Sequence, residues 1–336
     1  MSEISLARIA RALDAMLDDQ MTAQARIAAH LVAVAEAAGH DAARVIETLD
    51  GVVAATVLDE IWITDEKGFA YLTTVRDEAG VRVPFRFSPD PAVQPQASTF
   101  YSLLASPVGG DDAVTQPAQV REIDHEIFKY VGVGGIDRHR IVQVGNAPAF
   151  DEQDVVSNAY TSPVMTAVMA AFGEPELLSA AYTSRLDEIR TVLDGILGHQ
   201  MIVQARLAEC LVTAVEEAES SRTEIEGRLR RIVGSTSLGE IHVATLSGEM
   251  IYTSLPHSSA RDRLPDGVLD PGDVGRFREG TPEIVHETAP RAFDGAVYKY
   301  VSVTGAGSPR LVHVGQPIGP DSPVSLHFPS SGGVGA

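Results

Sequence analysis

Cysteine is almost absent: the 336-residue chain holds one, Cys210. That excludes a disulfide framework and any metal site built on several thiolates. Positive charge is scarce too, with 26 Lys and Arg against 46 Asp and Glu, a formal net charge of −20. So acidic a surface repels phosphodiester backbones and anionic lipid heads. Neither nucleic acid nor a membrane is therefore an expected partner, although a local basic pocket remains compatible. Long apolar runs are missing, and the longest mostly apolar stretch, 163–172, is far short of a bilayer span. The first residues have no basic start, apolar core or small-residue cleavage site, so no secretory signal is read there. The expectation is a cytoplasmic protein. Enzyme signatures are also lacking: there is no nucleophile elbow, P-loop, dinucleotide fingerprint or His-Glu-x-x-His. Gly132-Val133-Gly134-Gly135 opens no helix, so it is no phosphate loop. No enzyme, no cofactor and no metal are expected.

What is present is a globular composition, 44% hydrophobic and 21% charged, long enough for two domains. Those two domains are legible as a repeat. Leu13-Asp14, Gln20-Met21 and Gln24-Ala25-Arg26 return as Leu193-Asp194, Gln200-Met201 and Gln204-Ala205-Arg206. Leu58-Asp59-Glu60-Ile61 returns as Leu238-Gly239-Glu240-Ile241. Phe128-Lys129-Tyr130-Val131 returns as Tyr298-Lys299-Tyr300-Val301, and Arg140 to Gly145 as Arg310 to Gly315, with the offset shorter by about ten residues. The second copy has lost a loop.

Each copy opens with a long heptad stripe. Leu6, Ile9, Leu13, Met16, Gln20, Ala23, Ile27, His30 and Val34 form the first, with a parallel set through Leu186, Leu193, Gln200 and Cys210. Gly39 is the expected stop, and second helices are predicted near 41–57 and 221–236. Period-two alternation over 60–65, a turn at Gly68 and a return over 69–75 predict a β-hairpin. Further strands are expected at 127–133 and 140–145. The fold class is therefore α+β, with tandem units of a long helix, a second helix and an antiparallel sheet. The expected bounds are residues 1–147 for copy one, 148–180 for a helical connector, 181–318 for copy two and 319–336 for a loose tail.

The hairpin run Leu58 to Gly68, the closing runs Phe128 to Val133 and Arg140 to Gly145, and the helix with Gln20, Gln24 and Arg26 resemble the PAS-like Cache domains. The resemblance covers copy one almost entirely and copy two less closely. It implies a ligand-sensing module of chemoreceptors and sensor kinases that dimerises through its long N-terminal helix. Two departures are the lack of transmembrane helices and of any recognisable output segment, which leaves signalling to an unknown protein partner.

The repeated pattern Arg121, Asp124, Lys129, Tyr130 and Arg291, Asp294, Lys299, Tyr300 supplies candidate binding chemistry. Arg121 and Lys129 suit a carboxylate and Asp124 an ammonium group, with Trp62, Tyr71, Phe87, Phe100, Tyr101 and Tyr130 as walls. The expected ligand is a small carboxylate or amino acid. The plainer reading is an Arg–Asp pair fixing a turn, Lys129 solvated and the aromatics as core. Aromatics crowd copy one, whereas copy two has His242 in place of Trp62, so the first copy is the expected binder. His242, His286 and His313 fall in one sheet region, and Cys210 reads as a small hydrophobe in a helix. Gln20 and Gln200 interrupt the seams at matching positions, which suits glutamine pairing across a homodimer twofold or between the two long helices of one chain. The sequence thus points to a cytoplasmic small-molecule sensor, with a dimeric scaffold or regulatory subunit on a ligand-free Cache fold as the alternative. A cavity bordered by Arg121 and Lys129 fits the first, and one filled by Phe87, Phe100 and Tyr101 fits the second.

Overall fold

A computed structural model describes residues 6–121, 126–147, 180–256, 271–291, 294–305 and 309–319. The expected connector, apart from Ala180, and the expected tail, apart from Gly319, lie outside the described residues.

Helix α1 (Leu6–Ala37) is followed by α2 (Ala42–Ala54). Gly39, at φ +82°, ends α1 as expected, and the Asp41 side chain caps α2 by accepting from the Arg44 amide at 2.8 Å. Strands β1 (Glu60–Thr64) and β2 (Phe69–Thr73) make the hairpin, turned at Gly68 with φ +76°. Next come β3 (Phe85–Arg86), a short helix α3 (Ala97–Tyr101), β4 (Ala113–Thr115), β5 (Gln119–Val120), β6 (Ile127–Gly134) and β7 (Ile141–Asn146). The antiparallel order is β3-β2-β1-β7-β6-β4, with β5 also on β6.

The second half carries the same succession. Helices α4 (Ala180–Glu217) and α5 (Arg222–Gly234) lead, the latter with a Ser221–Glu224 capping box. Strands β8 (Glu240–Thr245) and β9 (Met250–Thr253), helix α6 (Pro271–Arg278), then β10 (Glu283–Val285), β11 (Ala289–Pro290), β12 (Val297–Thr304) and β13 (Arg310–Pro317) follow. Their antiparallel order, β10-β12-β13-β8-β9 with β11 on β12, matches the first sheet without its β3 edge.

All five residues of β1 are buried because both faces of the sheet are covered. Period-two alternation sends Ile61, Ile63, Val131 and Val142 to the helices, and Trp62, Phe128, Tyr130 and Ile141 to the outer face. The helix-side core is continuous across the chain: Leu13, Ile27 and Leu31 of α1 share one apolar cluster with Leu193, Met201 and Leu207 of α4.

The long helices pair within the chain. Gln24 Nε2 donates to Gln200 Oε1 at 2.8 Å and to its carbonyl at 3.2 Å. Gln204 Nε2 does the same to Gln20, at 2.8 and 3.3 Å. Residues 20 and 24 thus meet 204 and 200, so the helices run in opposite senses. The homodimer expected through these helices does not have their glutamine seam available, because the intramolecular partner fills it. Each glutamine meets its neighbour's counterpart rather than its own. Among the described residues no helix is long and apolar enough to cross a membrane.

Candidate functional site

The outer face of the first sheet is built around a buried carboxylate. Glu60, 3% exposed, opens β1. Its Oε1 accepts from Trp62 Nε1 at 2.8 Å, and its Oε2 from Arg121 Nη1 at 2.7 Å. Arg121 also reaches the Tyr130 hydroxyl at 3.2 Å and lies over the Phe128 ring at 3.8 Å. Burial beside Glu60 pushes the Tyr130 hydroxyl far above its ordinary value, so it stays protonated and can donate. Gly145 makes the cluster possible: a Cβ there would lie 2.6 Å from both Glu60 Cγ and Tyr130 Cε1.

Above this frame Trp62, Phe85, Phe87, Phe100, Gln116 and Gln143 surround a partly open void of about 50 Å³. At about 10–15 Å³ per water it admits a few water molecules. Phe100 is fully buried and presses on Gly132, where a Cβ would sit 2.7 Å from its Cδ1. Phe85 and Phe87 meet edge to face, their centroids 5.0 Å apart.

The structure thus brings Trp62, Phe87, Phe100, Arg121 and Tyr130 together. Tyr101 sits half-buried outside them, its ring against the Gly68 turn. Asp124 lies outside the described residues. Two expected wall and binding residues belong elsewhere. Lys129 is neither in the pocket nor solvated: the strand turns it toward α1, where its Nζ binds Asp14 at 2.7 Å and Asp18 at 2.6 Å. Adjacent strand residues face opposite ways, so Lys129 and Tyr130 cannot share a site. Tyr71 belongs to the cluster of Glu36, Arg138 and Arg140, accepting from Arg140 Nη1 at 2.8 Å. Glu36 is held below the usual carboxylate range; burial raises its pKa, but the bonds from Arg140 and Tyr71 outweigh that.

Glu60, Gln116 and Gln143 were not singled out by the sequence pattern. Glu60 did leave a signal, since it recurs as Glu240 within a repeated block. The second half repeats the frame: Arg291 Nη1 binds Glu240 at 3.1 Å, Tyr300 donates to Glu240 at 2.6 Å, and Arg291 lies 3.8 Å over Tyr298. Arg291 also pairs with Asp294 at 2.5 Å, the turn-fixing role of the plainer reading. On this face histidines pack together where the first half has aromatic rings. His242 and His313 centroids lie 6.2 Å apart, His286 and His313 5.9 Å apart, and Tyr300 stacks 4.7 Å from His313. Burial, then His242 and His286, holds His313 well below the usual imidazole range, so it is neutral. Among the described residues no group of three or more His, Cys, Asp or Glu is arranged to hold a metal ion. Cys210 is likewise unsuited to nucleophilic work, because burial pushes its thiol up to about 12.

No family model matches the chain, and no curated protein matches it. Among the solved structures similar to it over most of its length are three sensor or receptor domains. The extracellular domain of a proposed histidine kinase has a TM-score of 0.28 and 13% identity, covering 94% of this chain and 97% of that one. An extracellular ligand binding receptor from Desulfohalobium retbaense has a TM-score of 0.26 and 11% identity, covering 94% of this chain and 41% of that one. The sensory domain of the Campylobacter jejuni chemoreceptor Tlp3, with isoleucine bound, has a TM-score of 0.24 and 6% identity, covering 94% and 98%.

Proposed function

We propose that this chain is a duplicated, Cache-like small-molecule sensor whose first half takes the ligand and whose paired long helices pass the change to a protein partner. The observation that supports this reading is the difference between the outer faces. Both carry a Glu–Arg–Tyr frame, yet the first surrounds a partly open aromatic void and the second is packed with histidines. Arg121 is balanced by Glu60, so the site offers a matched pair of charges. A zwitterion suits it: its carboxylate takes the Arg121 fork and its ammonium takes Glu60 as the two side chains part. That narrows the expected small carboxylate to an amino acid or a close analogue.

A second reading, a scaffold or regulatory subunit with a ligand-free fold, is favoured by the void of about 50 Å³ and by Phe87 and Phe100 filling the face. The test uses Trp62, the one tryptophan of the chain, as a reporter inside the site. Amino acids and small organic acids are screened by thermal shift and Trp62 emission. A ligand at about 100 times its dissociation constant stabilises the fold by about 2.7 kcal/mol through mass action. A hit that also shifts Trp62 emission and is lost in Arg121→Ala supports the sensor. A screen without hits supports the scaffold.

A further inference from the structure

A second concavity lies elsewhere, between the halves. A cleft of about 950 Å³ is floored by the small residues Ala29 and Ala33 of α1 and walled by the 109–111 loop on one side and α5 on the other. Its volume is that of a site for a sizeable small molecule.

Its charges do not cancel. Arg26, Arg228 and Arg231 line the cleft, together with Asp111 and Asp137. Asp111 lies 3.5 Å from Arg26 of the cleft itself, and Asp137 2.8 Å from Arg140. Among the described residues neither Arg228 nor Arg231 forms a close ion pair, and Glu224 and Asp137 act on Arg228 only from a longer distance. Arg228 Nη1 meets the ring of His30 at 3.3 Å. His30 is lowered to about 3 by burial, then by Arg228, Arg231 and Arg26, so it is a neutral partner and the three guanidiniums act on one spot. Arg228 and Arg231 are three apart on one helix and share a face. Burial and the neighbouring Arg231 charge lower the pKa of the Arg228 guanidinium, and Glu224 and Asp137 offset that only in part. In a chain of net charge −20, with acids available everywhere, such a pair stands out.

The equivalent place in the other half differs. The residues of α2 corresponding to Arg228 and Arg231 are Thr48 and Gly51, and His30 corresponds to Cys210. The cationic pair is therefore a property of one junction and not of the shared fold.

We propose that this cleft is a second ligand site, for a small molecule bearing at least two negative charges on phosphate or carboxylate groups, clamped between α1 and α5. Its occupant touches both halves, so binding fixes their mutual position. The outer-face site of the first half lies beyond the sheet and takes no part.

The experiment is isothermal titration calorimetry of the intact protein at constant ionic strength with inorganic phosphate, pyrophosphate, citrate and ATP. At least one probe is expected to bind with a dissociation constant of about 1 mM or tighter. Pyrophosphate or ATP binding without citrate assigns the phosphate class, and the reverse assigns the carboxylate class. Arg228→Gln with Arg231→Gln should weaken the bound probe by about tenfold or more, because two charge-assisted contacts are lost. Arg44→Gln, whose charge is already spent on Glu217 at 2.6 Å, should leave affinity unchanged. If the double variant does not fold, the exposed Arg231→Gln alone should weaken binding by about threefold or more. Absence of binding by all four probes, or a smaller loss in the variants, overturns the proposal.

Discussion

The glutamine layer between α1 and α4 invites a double-mutant cycle on Gln24 and Gln200. Gln24 is fully buried and Gln200 5% exposed. Gln24→Leu removes the donor to Gln200 Oε1 and leaves that oxygen buried and unmatched, at a cost of about 1–3 kcal/mol. The Gln24 Oε1 has no hydrogen-bond partner of its own, so deleting it returns part of this loss. The net expectation is about 1–2 kcal/mol of destabilisation. Gln200→Leu costs less, about 1 kcal/mol, since Gln24 Nε2 keeps its 3.2 Å bond to the Gln200 carbonyl. Replacing both removes donor and acceptor together and should come within about 0.5 kcal/mol of the wild type. The coupling is then about 2–3 kcal/mol. Urea unfolding followed by circular dichroism measures all four stabilities, with equal m-values required for the comparison. Additive effects would refute the contact. A midpoint that moves with protein concentration would place the glutamine pairs between chains instead of within one.

Three further outcomes follow from named contacts. Gly132→Ala should displace Phe100 and destabilise the fold by about 1–3 kcal/mol, with a change in Trp62 emission; an unaltered spectrum and stability would contradict the 2.7 Å approach. Lys129→Met should leave Asp14 and Asp18 facing each other and cost about 1–2 kcal/mol, reduced by the partial exposure of both acids, whereas Lys67→Met at an exposed turn should cost almost nothing; equal losses would refute the buried ion pair. His30, lowered from 6.5 to about 3, is neutral in the fold and charges first in the unfolded chain, so its contribution is present above pH 6.5 and is lost as pH falls toward 3; His30→Gln should flatten the stability curve in that window, and parallel curves would contradict it.

The fold was legible because the repeat carried polar and glycine positions as well as apolar ones. Gly68 and Gly248 with the Leu-x-Glu-Ile strand starts marked the hairpins in both halves, Gln20 and Gln200 marked the matching long helices, and Gly39 marked the end of the first helix, whereas Glu219 holds the same turn in the second half. The site was legible only in part. Reading Arg121 to Tyr130 as one string merged two faces of a strand, although period two alone separates Lys129 from Tyr130. Glu60 did not stand out as a site residue, since its burial depends on an arginine 61 residues away. The antiparallel crossing of the long helices is a tertiary fact, so a seam that put Gln20 opposite its own equivalent missed Gln204. Arg228 and Arg231 escaped notice for the opposite reason: they do not recur, and a reading built on recurrence passes over what only one half has.

A symmetric assembly of two identical chains must carry every substitution twice, once in each subunit. Here both long helices of the central pair belong to one polypeptide, so a change can be made at one junction and withheld from the other. The histidine layer on one outer face, the aromatic void on the other and the arginines at a single cleft are all arrangements that strict twofold symmetry forbids. Joining the halves covalently also keeps them at a fixed one-to-one ratio however dilute the protein becomes, so whatever passes between them does not depend on concentration.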